Sequence, residues 1–226
     1  VDPSKSEVER QVYVCSQTMA CACYYSIEQY AEGYQLAQKL IAGKLADSEK
    51  KDIYRYYVLN GYMIACDFIQ RDENGNAEYQ RGRELLLEIA PYADEQLKGY
   101  VLPKIPLTWY FEGASNFKKQ MFEEALVCFN NAFNGFQELG LTSNAISALK
   151  QVAIVNYQTY HIEEAIRKYE QALLMSQSLN DSIAQMDIAQ ELYRLSGIVG
   201  DMEGIAKYTN LMDSLIANST DRQIQF

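Results

Sequence analysis

The chain repeats itself. Residues 106–134 match residues 146–174 at an offset of 40 positions. Gly113 faces Ala153, and Asn116-Phe117 faces Asn156-Tyr157. Phe122-Glu123-Glu124-Ala125-Leu126 faces Ile162-Glu163-Glu164-Ala165-Ile166, with Phe129 opposite Tyr169, Ala132 opposite Ala172 and Phe133 opposite Leu173. Another 40 residues on, the match decays to Met202, Glu203, Ile205 and Met212, and Val152 faces Leu192. Toward the start, Ile27, Glu28, Tyr30, Tyr34 and Ala37 carry the same pattern, and Tyr79, Gly82, Leu86 and Ile89 a looser one. A unit that recurs at this spacing cannot bury its apolar face alone. It must stack on its neighbours, so about five units form one array.

Each unit reads as a pair of helices. Apolar residues recur at three and four, and short polar breaks separate the runs. Helices are expected at about 106–119, 122–139, 143–160, 162–178, 182–199 and 202–217. Ser6 with Glu9, Ser26 with Gln29 and Ser182 with Gln185 have capping-box spacing, and Gly43 is a C-terminal stop. With 12 glycines and 4 prolines, the composition favours helix over a turn-rich β fold. One domain over 1–226 is expected: two divergent hairpins in 1–90, an irregular connection at 91–105 where Pro103 and Pro106 interrupt, and three repeats in 106–217. Residues 218–226, with Ser219 or Thr220 as cap, read as the start of a further, truncated helix.

These residues resemble the tetratricopeptide repeat (TPR) family. Its first helix has an aromatic and, one turn later, a small residue, here Trp109 and Gly113. Its second helix has alanine, an aromatic four on and alanine three further, here Ala125, Phe129 and Ala132. The next repeat supplies Leu149, Ala153, Ala165, Tyr169 and Ala172. Small residues let helices approach closely, and the aromatic fills the space beside them. The period departs from the usual 34, and Asn116 and Asn156 stand where the family has tyrosine. The resemblance implies an all-α, right-handed superhelical solenoid of antiparallel hairpins. In style, long tyrosine-rich repeats also resemble the N-terminal sensory regions of bacterial two-component histidine kinases. That likeness favours an extracytoplasmic over a cytoplasmic location.

The residue inventory points away from several chemistries. Thirty acidic residues against 20 basic ones, a net charge of −10, do not suit a phosphate-backbone binder. No apolar stretch is long enough for a membrane-spanning helix. The lone histidine, His161, falls at a helix break and reads as a turn or cap residue. Cys15, Cys21, Cys23, Cys66 and Cys128 read as small buried hydrophobes; on a helix Cys21 and Cys23 point about 200° apart, too far for one metal. Asp72-x-Asn74-x-Asn76 lacks the glycine and glutamate of a calcium loop, which would stand at Ala77 and Arg83. Glu123-Glu124 and Glu163-Glu164 recur at helix starts, where the dipole favours carboxylates. No cofactor, metal or catalytic residue is expected.

The reading that follows is a non-enzymatic scaffold for protein–protein interaction, the partner-binding or sensory segment of a larger signalling protein. The alternative is a free-standing cytoplasmic adaptor or co-chaperone. A carboxylate clamp is absent, because Ile154 stands where an asparagine should accompany Lys150. The resemblance puts a protein or peptide in a concave groove lined by Leu107, Tyr110, Ala114 and Phe117, then Ser147, Lys150, Ile154 and Tyr157, then Asp187, Gln190 and Arg194. Tyr110, Lys150 and Arg194 are its leading candidates, and the two cations suit a peptide with an apolar anchor and some acidic character. Phe117 and Tyr157 read equally as core. No nucleic acid or membrane insertion is expected in this segment. An apolar stripe in 202–217, including Ile205, Tyr208 and Leu215, predicts self-association through the C-terminal end.

Overall fold

The computed structural model describes residues 95–224 without a break, and scattered positions between 6 and 92. Six helices have complete bounds: α1 (Glu95–Lys118), α2 (Phe122–Glu138), α3 (Thr142–Gln158), α4 (Ile162–Ser178), α5 (Ser182–Val199) and α6 (Met202–Ile224). A 3-10 turn, Ala90–Tyr92, precedes them, and no strand occurs among the described residues. The chain falls into two compact units, Val1–Gly135 and Phe136–Phe226, with their boundary inside α2. The hairpins expected in 1–90, and the Asp72–Asn76 turn, lie largely outside the described residues. Where residues are described, Ser6 and Glu9 form the expected capping box: the Ser6 amide donates to Glu9 Oε2 at 2.8 Å and the Glu9 amide to Ser6 Oγ at 3.3 Å.

The period of 40 is two steps of 20. Gln120, Gly140, Tyr160, Asn180 and Gly200 all have positive φ, between 52° and 74°. The next residue in each case donates its amide to a carbonyl five positions back: Met121 to Asn116, Leu141 to Phe136, His161 to Asn156, Asp181 to Ser176 and Asp201 to Ser196. This six-to-one bond closes the helix end and starts the return. Each step is three residues longer than half the family's usual 34, close to one extra helical turn. Tyr160 accepts left-handed backbone strain at a place where Gly140 and Gly200 avoid it.

Small residues sit where the helices meet. Ala125 and Ala132, and separately Ala153, Ala165 and Ala172, are fully buried. Phe129 and Tyr169, the aromatics between the alanines of each second helix, are also buried. Enlarging Ala165 to leucine is expected to cost about 1–3 kcal/mol through overpacking. The urea midpoint checks it, with Ala206→Leu on the exposed side of α6 as control. Equal midpoints for the two variants would refute the register.

Five sequence expectations need correction. Residues 95–105 are not an irregular connection: they belong to α1, with Pro103 and Pro106 inside it. Val101 and Pro106 are buried, and that burial offsets the amide bonds that the prolines remove. No new helix begins at Ser219 or Thr220, because α6 runs through them to Ile224; no glycine or proline follows Gly204 to stop it. Ser182 does not cap α5. Asp181 does, accepting from the Ala184 amide at 3.0 Å, while Gln185 turns inward to the Ser176 carbonyl. Tyr208 is not part of an exposed stripe: it is buried, and Ile205 and Leu215 are half-buried. The small residue of the last repeat is Gly204, an offset of 39 from Ala165, just as Tyr208 follows Tyr169. A Cβ at Gly204 would collide with Asp201 and Ser196. Finally, Cys128 is a buried thiol as expected, but Cys23 is exposed.

Candidate protein-interaction surface

In the unit Phe136–Phe226, α4 packs on both α3 and α5. The two first helices, α3 and α5, are then tied to each other by side chains 37 positions apart. Lys150 Nζ pairs with the Asp187 carboxylate. The Arg194 guanidinium lies 4.4 Å above the centre of the Tyr157 ring. Glu191, one turn before Arg194, accepts from its Nε and Nη2 at 3.0 and 2.7 Å. The same spacing recurs between the second helices, where Lys207 Nζ donates to Glu170 Oε1 at 3.1 Å. Tyr208 Oη reaches the same oxygen at 2.7 Å.

Exposed ion pairs add at most about 1 kcal/mol each, so these rungs order the surface more than they stabilise the fold. Burial opposes the charge on Glu170, but the hydrogen bonds from Tyr208 and Lys207 outweigh it and hold the carboxyl below its ordinary value. Burial and the same carboxylate push the Tyr208 hydroxyl up to about 12. Burial raises the Tyr169 hydroxyl as well. In the other unit, burial and then Glu112 push the Cys128 thiol up to about 11, so it stays protonated and inert at neutral pH.

The expected groove residues divide by unit. On α3 and α5, Ser147, Asp187, Gln190 and Arg194 are exposed, and Lys150, Ile154 and Tyr157 are half-buried. Lys150 meets Asp187 and Tyr157 meets Arg194; Ser147 instead bonds to the Ser143 carbonyl of its own helix. Both expected cations are therefore already paired, which removes the basis for an acidic ligand. On α1, Leu107, Tyr110, Ala114 and Phe117 are all half-buried. Tyr110 packs edge-on to the buried Phe129 ring at 5.6 Å, and Phe117 edge-on to Phe122 at 5.7 Å. Asn116 and Asn156 take the buried place of the family's tyrosine. Asn156 Nδ2 donates to the Val152 carbonyl at 2.8 Å, and Asn116 Nδ2 lies 3.7 Å from Cys128 Sγ. Phe117 and Tyr157, one residue later, fall between core and surface.

His161 is exposed at the start of α4, with Nδ1 3.0 Å from Thr159 Oγ1, and its side chain caps nothing. Glu191 was not anticipated, although its E-x-x-R spacing to Arg194 is visible in the sequence. A groove of about 350 Å³ between α5 and α6 was also missed. Ser182, Ile183, Met186, Asp187, Gln190, Leu215 and Ile216 line it.

No protein-family model matches the sequence, and no curated protein does. Solved structures match it by fold. BtubC (BKLC) from P. vanneervenii superposes with a TM-score of 0.61 at 15% identity, over 96% of this chain and 93% of that one. The nearly identical TPR-like repeats of a Podosopora anserina protein described as a kinesin light chain give 0.55 at 13% identity, over 92% and 97%. The fold is TPR-like. Aspartyl phosphate phosphatase F from Bacillus subtilis also matches, with 0.60 at 16% identity, over 96% of this chain but only 52% of that one.

Proposed function

We propose that this chain is a non-enzymatic scaffold that binds a protein or peptide on the face of α3 and α5. The observation that carries the reading is the pair of rungs, Lys150–Asp187 and Tyr157–Arg194. They hold an aromatic ring and a guanidinium in fixed, accessible positions, and tyrosine and arginine are the residue types that anchor protein interfaces. The TPR-like fold supports it, because such repeats offer extended surfaces. We read the chain as the partner-binding or sensory segment of a larger signalling protein. The likeness to a protein named for aspartyl phosphate is compatible with a signalling setting. The alternative is a free-standing adaptor without a carboxylate clamp.

The paired cations change the expected ligand. With Lys150 and Arg194 neutralised, the α3–α5 face suits an apolar anchor flanked by polar, hydrogen-bonding groups. The test is selection from a random peptide library displayed on phage, then titration of the selected peptide by fluorescence anisotropy. Tyr157→Ala with Arg194→Ala is expected to weaken binding by about 10-fold or more, the scale of a hot-spot pair. Thermal stability should fall only slightly, because Arg194 is exposed and Tyr157 is half-buried. Unchanged affinity in a folded double variant would overturn the reading.

A further inference from the structure

We infer that the groove between α5 and α6 receives a basic amphipathic helix of a partner protein, anchored by an apolar side chain. This inference deepens the scaffold reading and rests on it. The groove is apolar where it is open. Ile183 is 82% exposed and Ile216 54% exposed, an unusual pair of large aliphatic side chains to leave so accessible on one rim. Met186 and Leu215 complete the apolar lining. Methionine is unbranched and flexible, so it adapts to an incoming side chain.

The repeat itself indicates a helical occupant. One repeat earlier, the place of Met186 is held by Ile146 at the offset of 40, and the place of Leu215 by Ser176 at the offset of 39 on which α6 packs. Both are buried there. Helix α5 closes that site, with Gln185 Nε2 donating to the Ser176 carbonyl at 3.3 Å. The groove on α5 and α6 continues this helix-on-hairpin interface by one more step, and a helix laid into an apolar groove is a recurring recognition mode.

Charge selects the kind of helix. The unit Phe136–Phe226 has eleven acidic residues against six basic ones, and the whole chain has a net charge of −10. Asp187 in the groove lining is already paired with Lys150, so the local acidic group is the exposed Asp213, one turn before Ile216 on α6. A second copy of the same acidic chain would bring like charges together, so electrostatics disfavours self-association and favours a basic partner.

The probe is a fluorescent helical peptide of alternating leucine and lysine turns, compared with a peptide of the same pattern in leucine and glutamate. Both are titrated against the full chain at physiological salt. The lysine peptide is expected to bind at least tenfold more tightly than the glutamate one. The double variant Ile183→Gln, Ile216→Gln should lose at least tenfold, while Leu174→Gln, an exposed change on α4, should lose nothing. Both double-variant sites are exposed, so the fold should persist, and circular dichroism checks it. Equal binding by the double variant, or equal binding of the two peptides, overturns the inference. Sedimentation supplies a third outcome: concentration-dependent dimers that the double variant abolishes would make a second copy the occupant and refute a basic partner. The scaffold reading is tested apart, because Tyr157→Ala with Arg194→Ala leaves this groove intact. Loss in that variant alone would keep the α3–α5 surface and discard the groove.

Discussion

Replacing Arg83 by methionine is expected to destabilise the unit Val1–Gly135 by about 3–5 kcal/mol, the cost of stranding one member of a buried ion pair. Arg83 Nη1 donates to Glu112 Oε2 at 2.8 Å and to Thr108 Oγ1 at 3.3 Å. The side chains are only 8% and 14% exposed. The guanidinium also lies 3.2 Å above the centre of the Trp109 ring, so it is stacked as well as paired. Without Arg83, the Glu112 carboxylate stays in poor solvation with no cation beside it. The diagnostic is the double variant. Arg83→Met with Glu112→Leu removes both charges and should recover most of the loss, because a well-packed apolar pair often replaces a buried ion pair at little cost. Urea unfolding of the two single variants and the double gives the coupling energy. A single-variant loss below about 1 kcal/mol, the range of exposed pairs, would show that Arg83 is solvated in solution.

That ion pair marks a limit of what the repeat pattern can show. The pattern exposed the hairpins of 106–217 because packing of small and aromatic residues imposes itself directly on residue types. Gly113, Ala125, Phe129, Ala165 and Tyr169 were legible for that reason. In the sequence Arg83 reads only as a failed calcium-loop position, because its partner comes from a helix 29 residues away and pairwise electrostatics leaves no periodic trace. Prolines misled for a related reason. Pro103 and Pro106 carry a local penalty that the sequence displays, while the burial of Val101 and Pro106 that offsets it is tertiary. The surface was half legible. The three-and-four stripe placed Lys150, Tyr157, Asp187 and Arg194 on first helices correctly. It could not say that they would pair across the 37-residue spacing and so cancel the positive character expected of the groove. Tyr208 was misplaced because the last repeat packs at an offset of 39, with Gly204 as its small residue.

Phe129→Ala is expected to cost about 3–5 kcal/mol, the usual loss for removing a buried phenyl group. Phe129 is fully buried in α2 and takes the edge of the Tyr110 ring at 5.6 Å. It also explains Gly113. A Cβ placed there would sit 2.9 Å from Phe129 Cδ1 and 3.1 Å from Cys128 Cβ. Gly113→Ala alone should therefore destabilise by about 1–3 kcal/mol, since the ring is walled in and cannot give way cheaply. The two positions share one space, so their effects should not add. Phe129→Leu shrinks the ring, and Gly113→Ala then fills part of the room left. The double variant should be more stable than the sum of the single losses allows, by at least about 0.5 kcal/mol, the scale of coupling between residues in contact. Urea midpoints of the four proteins read this directly. Simple additivity would mean that the ring and the glycine do not touch in solution, and the small-residue rule for this hairpin would fall with it. If coupling appears, the same logic extends to Ala153 and Tyr169, which hold the places of Gly113 and Phe129 one repeat later.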